Sequence, residues 1–266
     1  MTKSQSIAPA RLTELVAQAR TNLVVDHLYQ AVHARSPITF NASNSSLWGS
    51  KTDTNGTYID VAETAYASES LAHELLHAEF KLDGHRTYLG HYSCVPRAQS
   101  KILQQVLFAL DNELQHHRMF GKFTSLGLNP NHFYSDSDRN AYEVARRDVK
   151  RLKSNALREH FLLPFLTVIA KGGMGQDKVR SQLRNFIRTI AAPATWKALE
   201  DIEHAVNQWS TSPSLDAGPT IVQILQHLGG YDRTWIARSN DFPGDGNFVG
   251  PSFTIEDMNT YFRSQP

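Results

Sequence analysis

Apolar residues in the first part of the chain recur at spacings of three and four. Leu12, Leu15, Val16, Leu23, Val24, Leu28 and Val32 follow this pattern, which predicts an amphipathic helix over residues 10–34, broken near Thr21. From Pro37 to Val61 the period changes. Short runs (ITF, SLW, TYIDV) alternate among Ser, Asn, Gly and Thr, as short strands joined by turns do. In the run 57–61, residues 57, 59 and 61 face one side and 58 and 60 the other, so this strand is expected to be half buried. After Ser68 and Ser70, both suited to capping, ESLAHELLHAEFKL reads as a helix that stops near Asp83-Gly84.

A loop over residues 84–98 and a long helical pattern from about Ala98 to Phe120 follow. The turn-rich segment 126–138 is the best internal boundary. Beyond it the pattern predicts helices at 139–154, 155–171, 176–191, 194–209, 218–228 and 254–264. The expected fold class is therefore α+β: a small unit with short strands over residues 1–135, followed by a mainly helical unit over 136–266.

Composition narrows the function classes. The 266 residues carry 27 Lys plus Arg against 26 Asp plus Glu, a formal charge of +1, and this balance argues against nucleic acid as a partner. A cationic run, Arg146, Arg147, Lys150, Arg151, Lys153 and Arg158 with Asp148 as its only acid, reads as a solvated helix face. The longest nearly apolar run, Phe161–Ala170, is interrupted by Pro164 and is about half of what a bilayer requires, so no membrane span is expected. The first residues lack the apolar core of a signal peptide. With the single cysteine, Cys94, this gives a cytoplasmic expectation. The polar stretch 240–247 lacks the ligand pattern of a calcium loop and reads as a turn.

Twelve histidines are the unusual feature. His73-Glu74-Leu75-Leu76-His77 sets two imidazoles four residues apart, about 40° around a helix and about 6 Å along it, so both reach one ion from the same face. Zinc suits two neutral imidazoles and one further protein ligand, with a position left for water. The intervening Glu74 is placed to take a proton from that water. For the third ligand, Glu113 stands beside the apolar stripe of Leu103, Val106, Leu107, Leu110 and Leu114. A carboxylate there is costly unless it is paired or bound to a cation. Asp83 and the loop histidines His85 and His91 are rivals, and His117, one turn after Glu113, is either a supporting partner or a packed side chain. A donor for a developing oxyanion could be Tyr88, His91, His132, Tyr134 or Tyr142.

Over residues 56–120 these motifs resemble the zincin metallopeptidases, and within them the gluzincins, whose HExxH helix is followed by a helix supplying a glutamate ligand. The resemblance implies His73, His77 and Glu113 as zinc ligands, Glu74 as general base and a peptide or protein as substrate. Asn112-Glu113 is similar to the pair that opens the second motif of thermolysin-like members. Those members carry an aspartate where this chain has His117. Two other readings are a catalytically silent zincin-like module that binds a partner and a nucleic-acid-associated regulator working through the basic helix.

Overall fold

The computed structural model describes residues 7–88, 90–134, 138–172 and 177–264. Its elements run α1 (Pro9–Arg20), α2 (Leu23–Arg35), β1 (Ile38–Ala42), β2 (Gly49–Asp53), β3 (Gly56–Val61), α3 (Ala67–Leu82), β4 (Gly90–Ser93) and α4 (Arg97–Ser125). There follow α5 (Asp138–Val149), α6 (Arg158–Ile169), α7 (Asp177–Ile190), α8 (Pro193–Thr211), α9 (Gly218–Leu228), β5 (Thr234–Ala237), β6 (Asn247–Val249) and α10 (Ile255–Ser264). The fold is α+β with helical bulk and two small three-stranded sheets. No helix among the described residues is long and apolar enough to cross a membrane.

The chain forms two compact units, each assembled from several segments. The first takes residues 1–84, 118–142 and 171–178, and the second takes 85–117, 143–170 and 179–266. Helix α4 runs unbroken through the change of unit after His117. The expected boundary at 126–138 lies partly outside the described residues, at 135–137.

In the first unit the sheet has the order β1-β3-β2, with β3 parallel to β1 and antiparallel to β2. Strand β3 buries Thr57, Ile59 and Val61 and exposes Asp60, as the alternation predicts. A Cβ at Gly56 would sit 2.7 Å from the Pro37 carbonyl oxygen, so only glycine lets β3 start this close to the chain entering β1. The predicted N-terminal helix is two helices. Thr21 ends the first and Asn22 caps the second, its side chain accepting from the amide of Val24 at 3.0 Å. Helix α3 packs against α1, α2 and β2 around a core that includes Leu15, Val25, Ile59, Leu71, Leu75, Phe123 and Phe133.

In the second unit β5 lies between β4 and β6, antiparallel to both. This sheet carries an aromatic cluster in which Trp235, Phe242, Phe248 and Phe253 meet. Its strands fall where the periodicity predicted a loop and a connection. All four residues of β5 are buried, so it shows no alternation for a sequence pattern to detect. Helix α8 runs beside α6 and α9 and buries Leu199, Ile202, Val206 and Trp209.

Candidate metal centre

Helix α3 begins after Tyr66, whose amide donates to Thr64 Oγ1 at 3.1 Å. The two serines expected as caps lie inside it, where Ser68 Oγ donates to the Ala19 carbonyl at 3.0 Å and Ser70 is buried. Leu71, Leu75 and Leu76 anchor the helix in the core and leave His73 and His77 half-buried on a neighbouring face. Their Nε2 atoms are 3.1 Å apart and their ring centroids 4.8 Å. The ring of His73 also meets Phe133, with centroids 4.7 Å apart, and Tyr134, at 6.2 Å. Burial holds His73 well below the ordinary imidazole value, His77 adds to the effect, and a hydrogen bond with the Phe133 backbone opposes it. The ring is therefore neutral at pH 7, the form that binds a metal. Glu74, between the two histidines, is buried.

Helix α4 buries the predicted stripe: Leu103, Val106, Leu107, Leu110 and Leu114 are all fully covered. Beside that stripe it also buries five polar side chains, Asp111, Glu113, Gln115, His116 and His117. Two of these are fixed locally. Asp111 meets His85 Nε2 at 3.0 Å through one oxygen and accepts from Gln115 Nε2 at 2.8 Å through the other. Trp209 Nε1, from α8, donates to the Leu114 carbonyl at 2.8 Å. The Glu113 carboxylate faces the two histidines that follow it, with Oε1 3.1 Å from His117 Nε2 and Oε2 3.9 Å from His116 Nδ1.

One group of metal-ligating side chains gathers among the described residues. Ligand atoms of His73, His77 and His116 all lie within 4.8 Å of one another. The two histidines of the HExxH stretch are thus brought together, and the third member is a residue the sequence reading passed over. The signal was present: Glu113-Leu114-Gln115-His116 repeats the spacing of Glu74-Leu75-Leu76-His77, and residues three apart share a helix face. Glu113, expected as third ligand, stands outside this group and one turn before His116.

The rivals stand elsewhere. Asp83 is half-exposed and pairs with Arg35 at 2.8 Å. His85 is engaged by Asp111, and His91 lines a recess of about 330 Å³ with Gly90, Gln104 and Arg238. Among the candidate oxyanion donors, Tyr88 donates to Asp216 at 2.5 Å, and burial together with that carboxylate pushes its hydroxyl up to about 12. His132 stacks on Tyr66 with ring centroids 3.9 Å apart, and its Nδ1 lies 3.1 Å from Glu69 Oε1. Tyr142 is half-buried. Tyr134 is the candidate set against His73.

The remaining features carry ordinary explanations. Arg146, Arg147, Lys150, Arg151 and Lys153 are all exposed, as a solvated face requires. Cys94 is buried, and burial pushes its thiol up, which disfavours the nucleophilic thiolate. No protein-family model, no curated protein and no solved structure matches the chain.

Proposed function

We propose that this chain is a zinc-dependent hydrolase that cleaves peptide bonds, with the ion held by His73, His77 and His116 and with Glu74 as general base. The observation that carries the reading is the convergence of three imidazoles within 4.8 Å, which is the number of protein ligands a catalytic zinc takes when one position is kept for water. The proton-poor state of His73 supports it, because a ligating imidazole must be neutral. Its contact with the Phe133 backbone supports it as well, since ligating histidines are oriented by such partners.

A zinc ion held by His73, His77 and His116 would supply Lewis-acid chemistry that makes water acidic enough to act near neutral pH. Glu74 would serve as the general base, taking a proton from water and passing it to the departing amine. Tyr134 is the donor we assign to the developing oxyanion. Peptide is the proposed substrate class because the HExxH spacing resembles that of the zincins. The cytoplasm is the proposed compartment, in keeping with a single, buried cysteine.

The test is metal analysis of the purified protein together with cleavage of a mixed peptide library by wild type and Glu74→Gln. The expected result is bound zinc in both and cleavage in the wild type alone. Cleavage that survives Glu74→Gln removes Glu74 from the mechanism, and protein that neither retains nor takes up zinc overturns the reading.

A further inference from the structure

We propose that the second unit carries a binding site for a phosphate group, free or borne by a small organic molecule, built by Arg238, Gln104 and Asn240 around an open recess beside the start of β4. None of these three residues has a part in the hydrolase reading, and the site does not depend on it.

The recess has a volume of about 330 Å³ and is lined by β4 through Gly90 and His91, by the turn after β5 through Arg238, Ser239 and Asn240, and by α4 through Gln104. All of these residues belong to the second unit. The volume stands at the small end of the range for ligand sites, about 300–1,000 Å³, so it suits a compact molecule. Strand register sets His91 opposite Ile236. Side chains alternate along a strand, which puts His91 and Arg238 on one face of the sheet.

The lining has a sign. It holds a guanidinium, an imidazole, two carboxamides and a hydroxyl, and no carboxylate. Two other arginines of this unit are committed to protein acceptors: Arg233 pairs with Asp257 at 3.6 Å, and Arg158 donates to the His227 carbonyl at 2.9 Å. Arg238 is exposed at the rim and makes no ion pair among the described residues. Asp241, the nearest acid along the chain, turns to Ser239 and accepts from its Oγ at 3.0 Å. The serine proton is used there, which leaves Arg238, Gln104 and Asn240 as donors. A guanidinium fork fits a phosphate through two parallel hydrogen bonds. The carboxamides approach from a helix and a turn, and an anion whose oxygens point in three dimensions accepts from such separate directions better than a flat carboxylate does.

The turn is fixed in place by the protein itself. Tyr92 Oη donates to the Asn240 carbonyl at 3.3 Å, and the Phe242 amide donates to the same oxygen at 3.0 Å. Gly90 lets this turn approach β4. A Cβ there would sit 2.5 Å from the Ser239 carbonyl oxygen and 3.0 Å from Asn240 Oδ1, so a side chain at 90 would push the turn away and take the Asn240 donor with it. Donors positioned in this way lose little conformational freedom when a ligand arrives.

Calorimetric titration of the full-length protein at constant ionic strength, with inorganic phosphate, glycerol 3-phosphate and acetate in turn, decides the matter. Both phosphates should bind at about one equivalent, and acetate should bind clearly more weakly. Arg238→Gln, a change at an exposed position, should weaken phosphate binding by about tenfold to a hundredfold. Arg151→Gln, at an exposed arginine outside the recess, should leave it unchanged. Tighter binding of glycerol 3-phosphate makes an organic phosphate the ligand, and equal or tighter binding of inorganic phosphate makes it the free ion; either upholds the site. Absence of binding by both phosphates overturns it, as do acetate binding of equal strength and an equal loss in Arg151→Gln, which would reduce the effect to general attraction between charges. His73→Ala removes the proposed zinc centre and should bind phosphate as the wild type does. Loss of binding in that variant would assign the phosphate to the metal and overturn the site, whereas failure of the protein to bind zinc or cleave peptides leaves it standing.

Discussion

His73 Nε2 and His77 Nε2 stand 3.1 Å apart on one face of α3, within hydrogen-bonding distance of each other and close enough to reach one ion. The helix enforces it, because residues four apart lie nearly above one another, and the leucines at 71, 75 and 76 fix which face turns to the core. Protonating both rings would set two positive charges against each other, and His77 accordingly helps to hold His73 below the ordinary imidazole value.

The identity of the third ligand is decided by comparing two substitutions. Zinc held in a thousandfold excess over its Kd stabilises the folded chain by about 4 kcal/mol. His116→Ala should abolish most of that gain, seen as a zinc-dependent rise in melting temperature that the variant lacks. Asp83→Ala should keep the rise in full, because Asp83 pairs with Arg35. A full rise in His116→Ala would return the third position to Glu113.

Stability of the metal-free protein should depend on pH through His73. Its folded-state value is held well below the ordinary 6.5, chiefly by burial and then by His77. The unfolded chain therefore takes up a proton as pH falls through about 6.5 while the folded chain does not. The contribution is fully present above that value and is lost as pH drops toward the lowered one. Urea unfolding at pH 5 and pH 7.5 should show lower stability at pH 5. His73→Gln should flatten the difference, and an equal slope in that variant would assign it to other groups.

Glu74→Gln keeps the size and burial of the side chain but removes its capacity to accept a proton. Cleavage should fall by about 10²- to 10⁴-fold, the usual contribution of a general base, with zinc affinity unchanged. Measuring both in one preparation is essential, since a loss of zinc would make Glu74 part of the binding set instead.

How much of this was legible in the residues depends on which physical signal each part leaves. Helices with a long apolar stripe, such as α4 with Val106, Leu110 and Leu114, declare themselves through period. The β3 strand does so through alternation, with Ile59 buried and Asp60 exposed. The spacing of the His73 and His77 pair was legible because four residues make slightly more than one helical turn. The sheet of β4, β5 and β6 was not, because its strands have three or four residues and β5 is buried on every side. His116 was missed for another reason. The apolar stripe singled out Glu113 as the awkward polar residue, whereas α4 buries five polar side chains together, and an apolar pattern does not distinguish among them.

The indole of Trp209 fixes the part of α4 that carries these donors, and its contribution can be separated from general stability. Trp209 Nε1 donates to the Leu114 carbonyl at 2.8 Å, between Glu113 and the two histidines. Trp209→Phe keeps an aromatic ring and removes that one bond, which should cost about 0.5–1.5 kcal/mol in urea unfolding. It should also weaken zinc binding about tenfold, as loss of an outer support does. The control is Tyr231→Phe. Tyr231 donates to Glu159 Oε1 at 2.5 Å, and both residues are buried. Burial and the carboxylate push the Tyr231 hydroxyl up, so it stays a donor. Removing that hydroxyl strands a buried carboxylate oxygen and should cost about 1–3 kcal/mol. Tyr231 and Glu159 touch no residue of the 113–117 stretch through this bond, so zinc affinity should not move. A variant at 231 that weakens zinc as much as the one at 209 would show that metal affinity merely follows overall stability, and Trp209 would lose its positioning role.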